Sequence, residues 1–167
     1  MNDLLQDLVA HNAWATRTLL EACTPLDETQ LSASIPGSFG DIRETFMHFV
    51  AAERWYLAHL TGERPGPEWY EEEANLDWVS TRFAELDPVW QQVLSEPIDI
   101  ERVIRASDDD GGAWEFTAGV VIAQIFNHAN EHREQICAIM TEIGIQPPEI
   151  DGWNYSAASG RGWRVEA

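Results

Sequence analysis

The sequence predicts an all-α protein, an antiparallel four-helix bundle with a short β-hairpin ahead of its last helix. Three observations predict it. Four long segments carry apolar residues at helical spacing, turn-forming proline and glycine cluster between them, and one alternating, Asp/Gly-punctuated stretch interrupts the helical pattern before the last segment.

The first helix runs from Asp3 to Cys23, with Leu4, Leu8, Ala15, Leu19 and Cys23 along its stripe and Pro25 beyond its end. Asn12 falls inside that stripe, where a buried amide braces a helix contact or orients a ligand; bracing is the simpler role. Trp14 points the other way, so a loop or a second subunit should cover it. Residues 24–38 read as a turn-rich linker through Pro25, Asp27, Pro36, Gly37 and Ser38. The second helix follows Phe39 and Gly40 and ends near Gly62, apolar around much of its circumference as a central helix should be. His48 sits midway along it with small neighbours, Ala51 and Ala52, one turn on, which leaves room for a ligand; His59 lies near the C-terminus, whose dipole a cation complements. Arg64 to Ala74 reads as a surface loop. The third helix, Leu76 to Ser95, keeps a stripe through Val79, Phe83, Leu86, Trp90 and Val93, and Pro88 should kink or divide it. Ile100–Arg105 and Trp114–Thr117 flank Asp108–Gly112 and predict the hairpin. Val120 to Ile143, free of proline and glycine, is the longest helix. The tail beyond Pro147-Pro148 has no periodicity, but Trp153, Tyr155 and Trp163 should pack.

A chain of 167 residues is one domain by length, spanning 1–167. Its formal net charge of −19, from 29 acidic against 10 basic residues, argues against nucleic acid and anionic membrane surfaces as partners. No apolar run reaches the roughly 20 residues of a membrane span, and Met1-Asn2-Asp3-Leu4 does not open a signal peptide; a cytoplasmic protein is the expectation. Cys23 and Cys137 are too few for a disulfide framework.

The chemistry centres on the last helix. With His128 at zero, His132 falls at about 40°, Val121 and Ile139 at about 20°, and Ile136 at about 80°, so both histidines share the core-facing stripe. Two imidazoles there need partners, because an unpaired buried polar group costs roughly 1–3 kcal/mol. One metal ion satisfies both, and His48 from the second helix can join them in the open three-histidine arrangement of a catalytic site. Competing motifs fare worse. No histidine has the Glu three residues before it that di-iron bundles require. His128-Ala129-Asn130-Glu131-His132 spells the inverted zinc-protease motif, whose third carboxylate ligand would have to come from Glu142, Glu149 or Glu166. Glu131, about 60° to the side of His128, is the one candidate catalytic base, with a solvated face as its plainer role. No nucleophile elbow or phosphate loop is present.

The chain resembles the DinB/YfiT-like superfamily along nearly its full length: in His11-Asn12-Ala13-Trp14, in Gly37-Ser38-Phe39-Gly40 ahead of His48, in Asn127-His128 with His132-Arg133-x-Gln135, and in Gly144-Ile145-Gln146-Pro147-Pro148. The resemblance implies an up-down-down-up bundle, a homodimer, and a divalent metal, zinc or nickel, on the three residues His48, His128 and His132. It also implies a metal-dependent transferase that activates a low-molecular-weight thiol. Arg133 and Arg54 are the candidates to grip that thiol and a small molecule is the expected substrate. A metal-binding stress protein without catalysis is the alternative, and a metal-dependent hydrolase ranks behind both. Gln124 and Glu134 stand where many relatives have His and Gly.

Overall fold

The computed structural model describes residues 3–69, 75–107 and 110–165. Residues 70–74 of the surface loop, Asp108 and Asp109 of the turn, and Glu166 lie outside the described residues.

Helix α1 spans Asp3–Cys23 and buries Asn12, Ala15, Thr16, Leu19 and Cys23. The linker contains one helical turn, α2 (Glu28–Leu31), closed by a capping box between Asp27 and Gln30. A second capping box starts α3, Ile42–Thr61: Asp41 accepts from the Glu44 amide and the Glu44 side chain accepts from the Asp41 amide. Gly62, left-handed at φ 80°, ends it. The third predicted helix is two, α4 (Leu76–Ala84) and α5 (Leu86–Leu94). Pro88 explains the division. It has no amide hydrogen for the Ala84 carbonyl four residues back, and it is tolerated where it stands, in the first turn of a new helix.

Strands β1 (Val103–Ser107) and β2 (Ala113–Thr117) pair antiparallel, Val103 opposite Thr117. β2 passes directly into α6, Ala118–Glu142. The first amides of α6 have no partners within the helix, and two are met by the approach to the hairpin: Ala118 donates to the Arg102 carbonyl and Gly119 to that of Ile100. A Cβ on Gly119 would stand 3.3 Å from the Ile100 oxygen, so a larger residue would push this seam apart by a few tenths of an ångström.

The expectation for the tail needs correcting. It forms a helix, α7 (Gly152–Ala158), capped by Asp151, and Tyr155 covers Trp14 at 5.6 Å between rings. Trp153 and Trp163 do not pack; they are 85% and 81% exposed. The cover predicted for Trp14 is therefore the chain's own C-terminal segment.

Side-chain pairings fix the helix directions. Asn12 and Thr16 meet Arg133 while Cys23 meets Met140, so α1 and α6 run parallel. His48 meets His128 and the later Tyr56 meets the earlier Gln124, so α3 is antiparallel to α6. Arg43 shares a cleft with Leu76, Glu53 meets Trp90 and Glu63 meets Gln92, so α4 and α5 follow α3. The order is up, down, down, up. Phe46, Phe49, Leu57, Ile125, Ile136 and Ile139 fill the centre, each contributing about 1.5–3 kcal/mol by burial.

Candidate metal centre

The α3 and α6 helices face each other through their histidines. His48 Nε2 lies 3.2 Å from His128 Nε2, which lies 3.2 Å from His132 Nε2. Ligand atoms of the three residues all fall within 4.8 Å of one another. About 3.3 Å is the edge of a tetrahedron whose nitrogens sit about 2.0–2.1 Å from its centre, so the two 3.2 Å spacings match one ion and the remaining pair, within 4.8 Å, would have to close toward that edge.

Proton bookkeeping supports that fit. Gln135 Oε1 accepts from the Phe39 backbone amide at 3.1 Å, and an amide N–H can only donate. The same oxygen lies 3.0 Å from His132 Nδ1, which must then carry the hydrogen. His132 Nε2 is left as a lone pair aimed at the other two rings. His128 Nε2 has either one proton or one lone pair and cannot complement both neighbours, whereas a cation complements all three. Gln135 thus fixes the His132 tautomer and ring orientation, the kind of outer hydrogen bond that metal-binding histidines have.

Burial, then the neighbouring His132 and His48, pushes His128 down to about 4 from an ordinary 6.5. Burial, then His132, lowers His48 as well. Both rings are neutral at physiological pH, the form that binds metal. Phe39 stacks on His48 at 3.8 Å and Tyr56 stands edge-on to His128 at 5.6 Å. Beside them opens a cavity of about 560 Å³, lined by Phe39, Met47, His48, Ala51, Ala52 and Trp55 among others.

The DinB family profile matches residues 1–164. The chain belongs to the DinB family. No curated protein matches the sequence of this DinB chain. A solved crystal structure of a DinB-like protein from Bacillus cereus ATCC 10987 is similar in fold, with a TM-score of 0.67 at 16% identity, covering 89% of this chain and 96% of that one.

Other residues singled out in the sequence lie elsewhere. Arg133 is buried against α1, donating to Asn12 Oδ1 at 2.6 Å and Thr16 Oγ1 at 3.1 Å. Asn12 also donates to Glu53, which accepts from Trp90 Nε1 at 2.7 Å, so this amide braces three helices. Arg54 is buried and donates to the Glu63 carbonyl beyond the end of α3. Neither arginine is among the described residues lining the cavity, where a thiol grip would have to stand. The wheel accounts for both, since Arg133 lies about 140° from His128 and Arg54 about 240° from His48. Glu131 is exposed and lines no described part of the cavity. Among the described residues no carboxylate joins the histidine cluster, so neither Glu142 nor Glu149 serves as the protease motif's third ligand, and Glu166 lies outside the described residues. His59 packs edge-on against Phe116, and burial with Arg64 nearby keeps it neutral, so it carries no charge to complement the helix end. The residues missed are Gln135, Phe39 and Tyr56. Gln135 had a signal: seven residues past His128, it lies about 20° from it on the wheel.

Proposed function

We propose that His48, His128 and His132 hold one divalent cation, zinc or nickel, and that this DinB chain is a metal-dependent transferase for a low-molecular-weight thiol acting on a small-molecule substrate. The observation that carries the metal reading is the convergence of three Nε2 atoms with one tautomer fixed by Gln135. A divalent ion held there supplies the charge that deprotonates a coordinated thiol. The chain's own residues do the rest. Burial keeps His48 and His128 neutral, Phe39 and Tyr56 flank the rings, and Met47, Ala51 and Ala52 give an apolar wall that limits water around the reacting sulfur.

One observation favours a second reading, a metal-binding stress or binding protein without turnover. With Arg54 and Arg133 engaged inside the bundle, no described basic side chain lines the cavity to receive an anionic thiol. The proposal also includes a cytoplasmic homodimer, for which sedimentation velocity gives the mass.

Metal analysis followed by thiol conjugation tests the reading. Wild type should carry about one equivalent per chain, and His48→Ala, His128→Ala and His132→Ala should each lose it. Conjugation of a generic electrophile should stop on chelation and return with metal. A protein that neither contains nor takes up transition metal overturns the reading, and full occupancy without conjugation by any thiol selects the binding protein.

A further inference from the structure

A second cavity, of about 310 Å³, lies under the hairpin between β1, β2, α3 and α6. We propose that it is a binding site for a neutral aromatic small molecule bearing a carbonyl or hydroxyl oxygen, positioned as the body of the second substrate. The site stands on its own geometry; only its link to substrate rests on the metal reading above.

Its walls are apolar and partly in water. Phe116, Val120, Val121 and Trp114 line it, yet Trp114 is 70% and Val120 58% exposed. Large apolar side chains left wet around a concavity mark a ligand or interface surface. A planar ring set between the Trp114 indole and the Val120 face removes that surface from water.

The polar groups are few and point to one class. Gln124 Nε2 donates to Tyr56 Oη at 3.4 Å, which makes the phenol oxygen an acceptor there and leaves its own proton to donate. His59, on the cavity wall, makes no hydrogen bond among the described residues and offers one donor and one acceptor nitrogen. It stays neutral, lowered by burial and then by Arg64. No described lining residue bears a formal charge, and burying an ion against such walls without a counter-charge is costly, so the ligand is neutral. Arg105 and Glu115 of the hairpin pair with each other, each largely exposed.

Tyr56 joins this site to the metal centre. It lines both cavities, and its ring stands edge-on to His128 at 5.6 Å between centroids. A molecule seated against the hairpin therefore lies one aromatic ring away from the histidines. Gln124 sits one turn before His128 and serves the phenol.

The test titrates 2-naphthol into the full chain, once stripped with chelator and once metal-loaded, and follows the Trp114 indole resonance. Saturable one-to-one binding is expected in both states. Trp114→Ala should weaken it about tenfold, and Val120→Glu, which places a charge on the wall, at least as much. Naphthalene-2-sulfonate, the same ring system with a charge, should also bind about tenfold more weakly. Absence of saturable binding by a protein with a normal thermal melt overturns the proposal, as does binding indifferent to both variants. It is also overturned if Trp114→Ala abolishes self-association while 2-naphthol never binds, because the patch then belongs to a second copy of the chain. For the link to substrate, 2-naphthol should compete with the electrophile and not with the thiol in the loaded protein; competition with the thiol alone overturns it. Binding to the chelator-stripped protein needs no metal, so failure of metal uptake sinks the metal reading while 2-naphthol binding still stands or falls by itself.

Discussion

Replacing Gln135 with leucine removes one oxygen that serves two donors from different parts of the chain, the Phe39 amide at 3.1 Å and His132 Nδ1 at 3.0 Å. The two losses differ in weight. Phe39 is 55% exposed, so its amide turns to water at little cost, whereas His132 is only 6% exposed and its Nδ1 hydrogen is left without an acceptor. An unsatisfied buried donor costs about 1–3 kcal/mol, and each 1.4 kcal/mol is a factor of ten in affinity. The ring can escape the penalty only by moving its proton to Nε2, which blocks the atom aimed at the metal. Either route weakens metal binding, by about 10- to 100-fold. Competition with a chromophoric chelator measures it, and Gln135→Glu, which keeps an acceptor at that place, should hold affinity near wild type. If Gln135→Leu binds zinc within about threefold of wild type while His128→Ala does not bind at all, the hydrogen bond does not orient the ligand.

Two further outcomes follow from the same geometry. His48 and His128 titrate below their ordinary value, so the unfolded chain takes up protons more readily than the folded one. Stability of the metal-free protein should therefore be full above about pH 6.5 and fall as pH drops through about 4, read by urea midpoints across that window. A flat profile in metal-free protein would refute it. Glu53→Ala should cost about 3–5 kcal/mol in urea denaturation, because Asn12 and Trp90 lose their buried acceptor and Arg133 its nearby opposite charge. A loss below about 1 kcal/mol would mean that water fills the vacated space.

The bundle is legible in the sequence because its cause is local. A 3.6-residue apolar period, Gly62 and Pro88 act through neighbours in the chain, and the structure places the helices where those signals fall. The histidines are legible for the same reason, since the spacing of His128 and His132 sets their common face. The arginines show where proximity in sequence misleads. Arg133 adjoins a candidate ligand, but one residue of a helix is about 100° of rotation, and that turns it toward α1. Phe39 and Tyr56 are illegible on other grounds. A loop aromatic stacked on His48 and a phenol shared by two cavities depend on how α3, α6 and the hairpin meet, which no local period encodes. The tail misled in the opposite sense, since its two tryptophans suggest a core and both face water.

The parallel pairing of α1 with α6 bears on the order in which the molecule assembles. Arg133 reaches Asn12 across 121 residues, and His11 reaches the Ile150 carbonyl across 139. Such contacts close long loops and form only after shorter-range structure has reduced the entropy of doing so. Two of the three histidines ride on α6, so a chain emerging from the ribosome has His48 long before it has anything for His48 to face. The three-histidine cluster is therefore completed only when α6 docks, and a chain arrested before α6 should have helices but no cluster.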